Sequence, residues 1–215
     1  MKTTPLATVL SAAAALAATV PALAQMPPAQ AWEIGPRVRG RNYSEGMPAQ
    51  PSPAPGGGVA FDFPLAGRGQ IDAMTTGVGP LTGAHQVTLR YRIEVAPGTQ
   101  FMADEMPNEP ATVSLYLQRA GDNWSGSGRY ASYRWYVPGQ AVMPLAPGER
   151  TVKVRLDDTW TNVNGQPNSA DEAGFAAALA NTAQIGIAFG SSSRRSHGVY
   201  ATGRARFTLI ALDIE

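Results

Sequence analysis

The chain has 215 residues, 44% of them apolar and 15% charged, with 17 Lys and Arg against 16 Asp and Glu and no cysteine. So even a balance excludes the broad positive field that recruits nucleic acid or an anionic membrane surface. The missing cysteine excludes disulfide staples, thiolate metal sites and thiol nucleophiles, which leaves a packed core to hold the fold.

The first residues read as a cleavable secretory leader over 1–24. Lys2 supplies the positive start, an Ala/Leu/Val run follows, and Ala22-Leu23-Ala24 makes the small-residue cleavage site. The expected mature chain begins at Gln25 and works in the periplasm or outside the cell. The leader's apolar run is short of the ~20 residues a membrane span needs, and no later run is long enough, so no integral membrane segment is predicted. Residues 25–31 form a Pro-rich lead-in to one predicted β-sandwich domain over 32–215.

In that domain Trp32, Ile34 and Val38 open a first strand. A long connection over 39–58 follows, and prolines and glycines at 47–58 predict a disordered loop excluded from sheet and helix alike. Val59, Phe61 and Phe63 alternate with Ala60 and Asp62, and 71–76 reads as a weaker neighbour. Gln86 to Val95 alternates without a break, with Val87, Leu89, Tyr91, Ile93 and Val95 on the core side. The same period returns at 113–118 and 152–156, and then in Ile185, Ile187 and Phe189. The closing run 205–214 is apolar on both faces, which predicts a central or bulged strand. Trp32, Tyr91, Trp135 and Phe207 fall on core positions by the same alternation.

One segment reads as a helix. Ser169 is placed to cap it, Asp171 and Glu172 suit its positive first turn, and Phe175 with Leu179 share a face. About nine strands, turn signals between them and one short helix near 170–180 describe an all-β fold, an antiparallel β-sandwich of jelly-roll type.

The runs Ile185-Gly186-Ile187-Ala188-Phe189-Gly190, His197-Gly198-Val199-Tyr200 and 207–214 resemble the closing strands of galactose-binding-like jelly rolls, the fold of many carbohydrate-binding modules. That resemblance rests on strand rhythm. It implies a secreted, often non-catalytic sugar-binding fold, and no residue role is carried over from it.

Three constellations could carry chemistry. The first lies around Gly121 to Tyr136, where a Gly/Ser loop runs into an aromatic strand. If successive strands run antiparallel, loops 39–58, 77–85, 120–130 and 158–183 share one end. They would gather an aromatic rim of Tyr43, Trp124, Tyr130 and Trp160, with Tyr43, Trp124 and Trp160 as the stacking rings, beside Arg41, Asn42, Asn123 and Asn162 as polar groups, with His85 at the same end. Flat rings beside short polar groups suit the apolar faces and hydroxyls of a sugar. The alternative is that both tryptophans fold back as lids on the core. The second is the loop Ser191 to Tyr200, assigned to the opposite end. Arg194 and Arg195, His197 and Tyr200 could serve a polysaccharide lyase acting next to a uronic acid carboxylate as clamps, base and acid, and the alternative is a solvated loop. The third is metal: Asp104, Glu105, Asn108 and Glu109, or Asp157, Asp158 and Asp213, could hold a structural calcium. Paired carboxylates for glycoside hydrolysis reduce to Glu94 and Asp62. The sequence therefore predicts an exported non-catalytic module for a glycan or similar polar ligand, needing no cofactor. A lyase or hydrolase, or a domain that meets a protein partner, are the alternatives.

Overall fold

The computed structural model describes residues 26–215, so the leader expected over 1–24 lies outside the described residues. Ten strands build two facing sheets: β1 (Trp32–Gly35), β2 (Val59–Asp62), β3 (Ala73–Gly77), β4 (Gln86–Val95), β5 (Thr112–Arg119), β6 (Arg134–Tyr136), β7 (Gly148–Arg155), β8 (Thr161–Asn162), β9 (Thr182–Gly190) and β10 (Ala205–Ile214). The first sheet runs β1-β3-β9-β5-β6-β8, with Met143–Pro144 also paired to β5. The second runs β7-β4-β10-β2 and ends on Ser52–Pro53. All these pairings are antiparallel, and the fold is an antiparallel β-sandwich of jelly-roll type.

Strict alternation decides which side chains meet between the sheets, because successive residues of a strand point to opposite faces. Val87, Leu89, Tyr91 and Ile93 of β4 face Ile34, Met74, Ile187 and Leu115 of the other sheet in one buried cluster, closed by Phe61, Phe189 and Phe207. Trp32, Tyr91, Trp135 and Phe207 are all buried, as the alternation predicts. β10 lies between β4 and β2 and carries a register shift between Leu209 and Ala211. That shift is how a strand apolar on both sides keeps Leu209 and Leu212 in the core.

Two expectations are corrected. The Pro/Gly stretch pairs after all: Ser52–Pro53 adds to β2 at the sheet edge, where a proline's missing N–H faces no partner strand. The helix, α1 (Glu172–Ala180), is capped by Asp171 and not by Ser169, which sits in a preceding 3-10 turn. Asp171 Oδ1 accepts from the Gly174 N–H at 2.9 Å, and a Cβ at Gly174 would overlap that carboxylate. α1 covers one end of the sandwich through Phe175, whose ring meets those of Trp135 and Trp160.

Candidate functional site

The first sheet has a second buried face. β5 is buried along almost its whole length, and its outward residues are Thr112, Ser114, Tyr116 and Gln118. One row crosses all six strands of that face in register: Glu33, Thr75, Gly186, Tyr116, Tyr136 and Thr161. Tyr116, Tyr136, Ala73 and Ala188 form a small apolar cluster there, joined by Trp124 and Val163. Gly186 permits it, since a Cβ at that position would overlap the Tyr116 ring. Burial raises the Tyr116 phenol well above its usual pKa, so the floor stays uncharged.

Over this floor runs a groove made of two adjoining cavities of about 370 and 300 Å3, which share Trp124, Arg134, Tyr136, Arg195 and His197. The larger part is walled by 161–165 on one side and 192–195 on the other. The smaller is walled by Pro36, Val38 and Tyr43 and reaches Gln70, Asp72 and Glu105.

Asp122 positions the wall at Trp124. Its Oδ1 accepts from the Trp124 N–H at 3.1 Å, while Oδ2 accepts from Gln118 Nε2 at 2.9 Å and from Arg134 Nη1 at 2.6 Å. The Asp122–Arg134 pair is almost fully buried. Trp124 itself has φ 65°, a region that a bulky side chain enters only where its surroundings hold it. The Arg134 guanidinium carbon lies 4.1 Å from the centroid of its ring, and Tyr116 meets the ring edge-on at 6.0 Å. The tryptophan is therefore half-buried and pinned at the groove, not swinging on a loop.

Asp72 sits under the smaller cavity and is only 4% exposed. Burial pushes its carboxyl up to about 8; the Gln70 Nε2 donor at 3.0 Å pulls it down less, and nearby Glu105, Asp104 and Glu45 push it further up. At neutral pH it is a neutral acid, able to donate as well as accept a hydrogen bond. His197 Nδ1 stands 3.0 Å from Glu105 Oε2 at the rim.

The expected site residues divide. Tyr43, Trp124 and Asn162 line the groove. Asn162 is 97% covered, and its Oδ1 accepts from the N–H groups of Asn164 and Gln166, so it shapes the turn that forms one wall. Asn42 is similarly structural, with Nδ2 donating to Ile34 O and Oδ1 accepting from Ser44. Arg41 pairs with Glu45 and lies over Tyr43, with its guanidinium carbon 5.0 Å from the ring centroid. Asn123 is taken up by a turn to Ser125 and does not line the groove.

Trp160 is the clear correction. It has no exposed surface, its Nε1 donates to Arg155 O at 2.9 Å and its ring packs towards Phe175, so neither face can stack on a ligand. His85 leaves the site too: it lines neither cavity, and its backbone pairs with Glu215 and Leu156. The grouping of loops by ends also fails. Loops 121–126 and 161–165 fold over a sheet face, and 191–197, assigned to the far end, folds over the same face from the opposite side. Of the lyase set, Arg194, Arg195 and His197 reach the groove, whereas Tyr200 lies in a strand paired to Phe101–Ala103 and lines neither cavity.

The acidic clusters are used elsewhere. Glu105 meets His197, Glu109 accepts from Ser193, and Asp157 pairs with Arg155. Among the described residues no three His, Asp or Glu side chains gather in a way that could hold a metal ion. Asp62 and Glu94 lie on either side of Arg206, on the other sheet.

Asp72, Arg134 and Tyr136 are groove residues that the sequence does not single out as site candidates. A signal existed for one part, because an aromatic at 116 on the polar parity of β5 marks a second covered face.

No protein-family model matches the chain, and no curated protein matches it. Among solved structures it is similar to a xylan-binding module, CBM15, at 12% identity and TM-score 0.41, over 87% of this chain and 96% of that one. It is similar also to a structure from work on the endo-acting O-glycanases that prominent members of the human gut microbiota express to initiate mucin breakdown. There the identity is 10% and the TM-score 0.42, over 89% and 94% of the two chains. A third is Xylanase10C from Cellvibrio japonicus in complex with xylopentaose, at 12% identity and TM-score 0.36, where 86% of this chain corresponds to 28% of that one. No helix among the described residues is long and apolar enough to cross a membrane.

Proposed function

We propose that this is an exported, non-catalytic glycan-binding protein whose ligand lies in the groove across the outer face of the first sheet. The observation that carries the reading is the groove's composition. A pinned, half-buried tryptophan stands beside Tyr136 and the amide and hydroxyl groups of 161–165 and 192–193 in the larger cavity, and an exposed tyrosine walls the smaller one. A sugar ring offers an apolar C–H face to Trp124 or Tyr43 and hydroxyls to such groups. The buried Asp122–Arg134 pair supports this role, because it fixes the ring before ligand arrives and so lowers the ordering cost of binding.

The test is a glycan array on residues 25–215, with Trp124→Ala and Tyr43→Ala as site variants and Trp160→Phe as a control outside the groove. Loss of retention in the two site variants, each melting near the parent, with retention kept in the control, supports the reading. Equal retention in all of them refutes it. Spent ligands are checked for new unsaturated or reducing ends, whose appearance would replace the non-catalytic reading with turnover.

A further inference from the structure

The two parts of the groove differ in charge. No aspartate or glutamate among the described residues lines the larger cavity, yet Arg134, Arg194 and Arg195 all do. Arg134 is neutralised by Asp122. Arg195 makes no ion pair among the described residues, although it is half-buried. Its Nη1 donates to Val137 O at 2.8 Å, with Thr161 Oγ1 at 3.5 Å, while Nε and Nη2 have no hydrogen-bond partner among the described residues and are not sealed from solvent. Those two N–H groups form the edge on which a guanidinium takes a carboxylate through two parallel bonds.

The loop that presents this edge is braced. Ser191 N–H donates to Arg194 O and Arg194 N–H to Ser191 Oγ, both at 3.0 Å, and Ser193 Oγ donates to Glu109 Oε1 at 2.6 Å. A Cβ at Gly190 would overlap Arg194 O, so the turn folds tightly back on the end of β9. The guanidinium is thus held from behind by Val137 with its free edge left over.

We propose that the ligand of this groove carries a carboxylate, as the uronic-acid units of acidic polysaccharides do, and that this carboxylate seats on the Nε and Nη2 edge of Arg195. This rests on the glycan reading above and names its ligand class. Partial burial lowers the Arg195 pKa, the mark of a cation short of solvent, and an anionic partner relieves that shortage. The larger cavity holds no carboxylate among the described residues. Arg194 adds a second positive group, Glu105 stands beside His197, and Asp72 is held neutral by burial.

The test compares retention of polygalacturonate, alginate and glucuronoxylan with that of their carboxyl-reduced forms, a neutral xylan and a sulfated galactan. At least one acidic polymer is expected to bind about tenfold or more tightly than its reduced form. Arg195→Gln should abolish that preference by losing far more on the acidic polymer than on its reduced form, and Arg195→Lys should restore part of it. Equal binding of acidic and reduced forms, or an equal loss on both in Arg195→Gln, overturns the inference and leaves the glycan reading standing. Preference for the sulfated galactan alone also overturns it, by assigning the edge to a sulfate ester. No retention of any polymer overturns both. Should Arg195→Gln fail to fold, the comparison of acidic with reduced forms on the parent protein decides alone.

Discussion

Asp72→Asn should change how stability depends on pH. In the folded chain burial raises the Asp72 carboxyl from 3.8 to about 8. The folded state therefore keeps a proton that the unfolded state gives up. Stability falls as pH rises from near 4, and the fall levels off above about 8. With about 1.4 kcal/mol for each unit of separation, the carboxyl costs the fold roughly 4 kcal/mol at pH 7 and only about 1 kcal/mol at pH 4.5. An asparagine at this site keeps the oxygen that accepts from Gln70 Nε2 and has no proton to lose. Asp72→Asn should thus stabilise the protein by several kcal/mol at pH 7 and by far less at pH 4.5. Urea unfolding of both proteins across that range gives the answer as a difference, in which the titration of groups not coupled to residue 72 cancels. A difference that stays flat with pH would refute the burial argument.

Other consequences can be checked on the same material. Gly186→Ala forces the Tyr116 ring off the sheet and should cost about 1 to 3 kcal/mol in urea unfolding. Arg134→Leu strands the buried Asp122 carboxylate and should destabilise by about 3 to 5 kcal/mol, with a change in tryptophan fluorescence as Trp124 loses its support. Asp171→Ala removes the helix cap and should cost about 1 kcal/mol, seen as a lower Tm with groove binding unchanged. Trp124→Ala should weaken glycan retention about tenfold while the Tm stays close to the parent's, since the ring is half-exposed.

The strands were legible where one face meets the core and the other meets water. β4 and β10 begin and end where the alternation of Gln86–Val95 and Ala205–Ile214 does, and the bulge near Ile210 shows in the apolar run on both parities. β5 was harder, because its polar parity is covered as well and Thr112, Ser114 and Gln118 look solvated in sequence. Trp160 misled because aspartates and asparagines surround it, yet a tryptophan whose Nε1 finds a backbone carbonyl can be buried whole. Arg195 misled in the opposite sense. Ser-Arg-Arg-Ser reads as a solvated loop until Gly190 lets the chain turn back over the sheet, and that return depends on Arg194 and Glu109, which no local spacing couples. The cap moved from Ser169 to Asp171 for a similar reason: Pro167 starts a separate 3-10 turn that uses up the serine.

The register of the first sheet bears on when the groove comes into being. β5 and β9 lie side by side at its centre, and the contact from Thr112 Oγ1 to Gly190 O joins positions 78 apart in the chain. The Arg195 bond to Val137 spans 58. Contacts of such long sequence separation close late, after the local hairpins have formed. On the ribosome, Trp124 is therefore made long before it has a floor to stand over, and no excised peptide around 121–136 can inherit the site. Only a chain that has emerged past β9 and its returning loop has a groove at all.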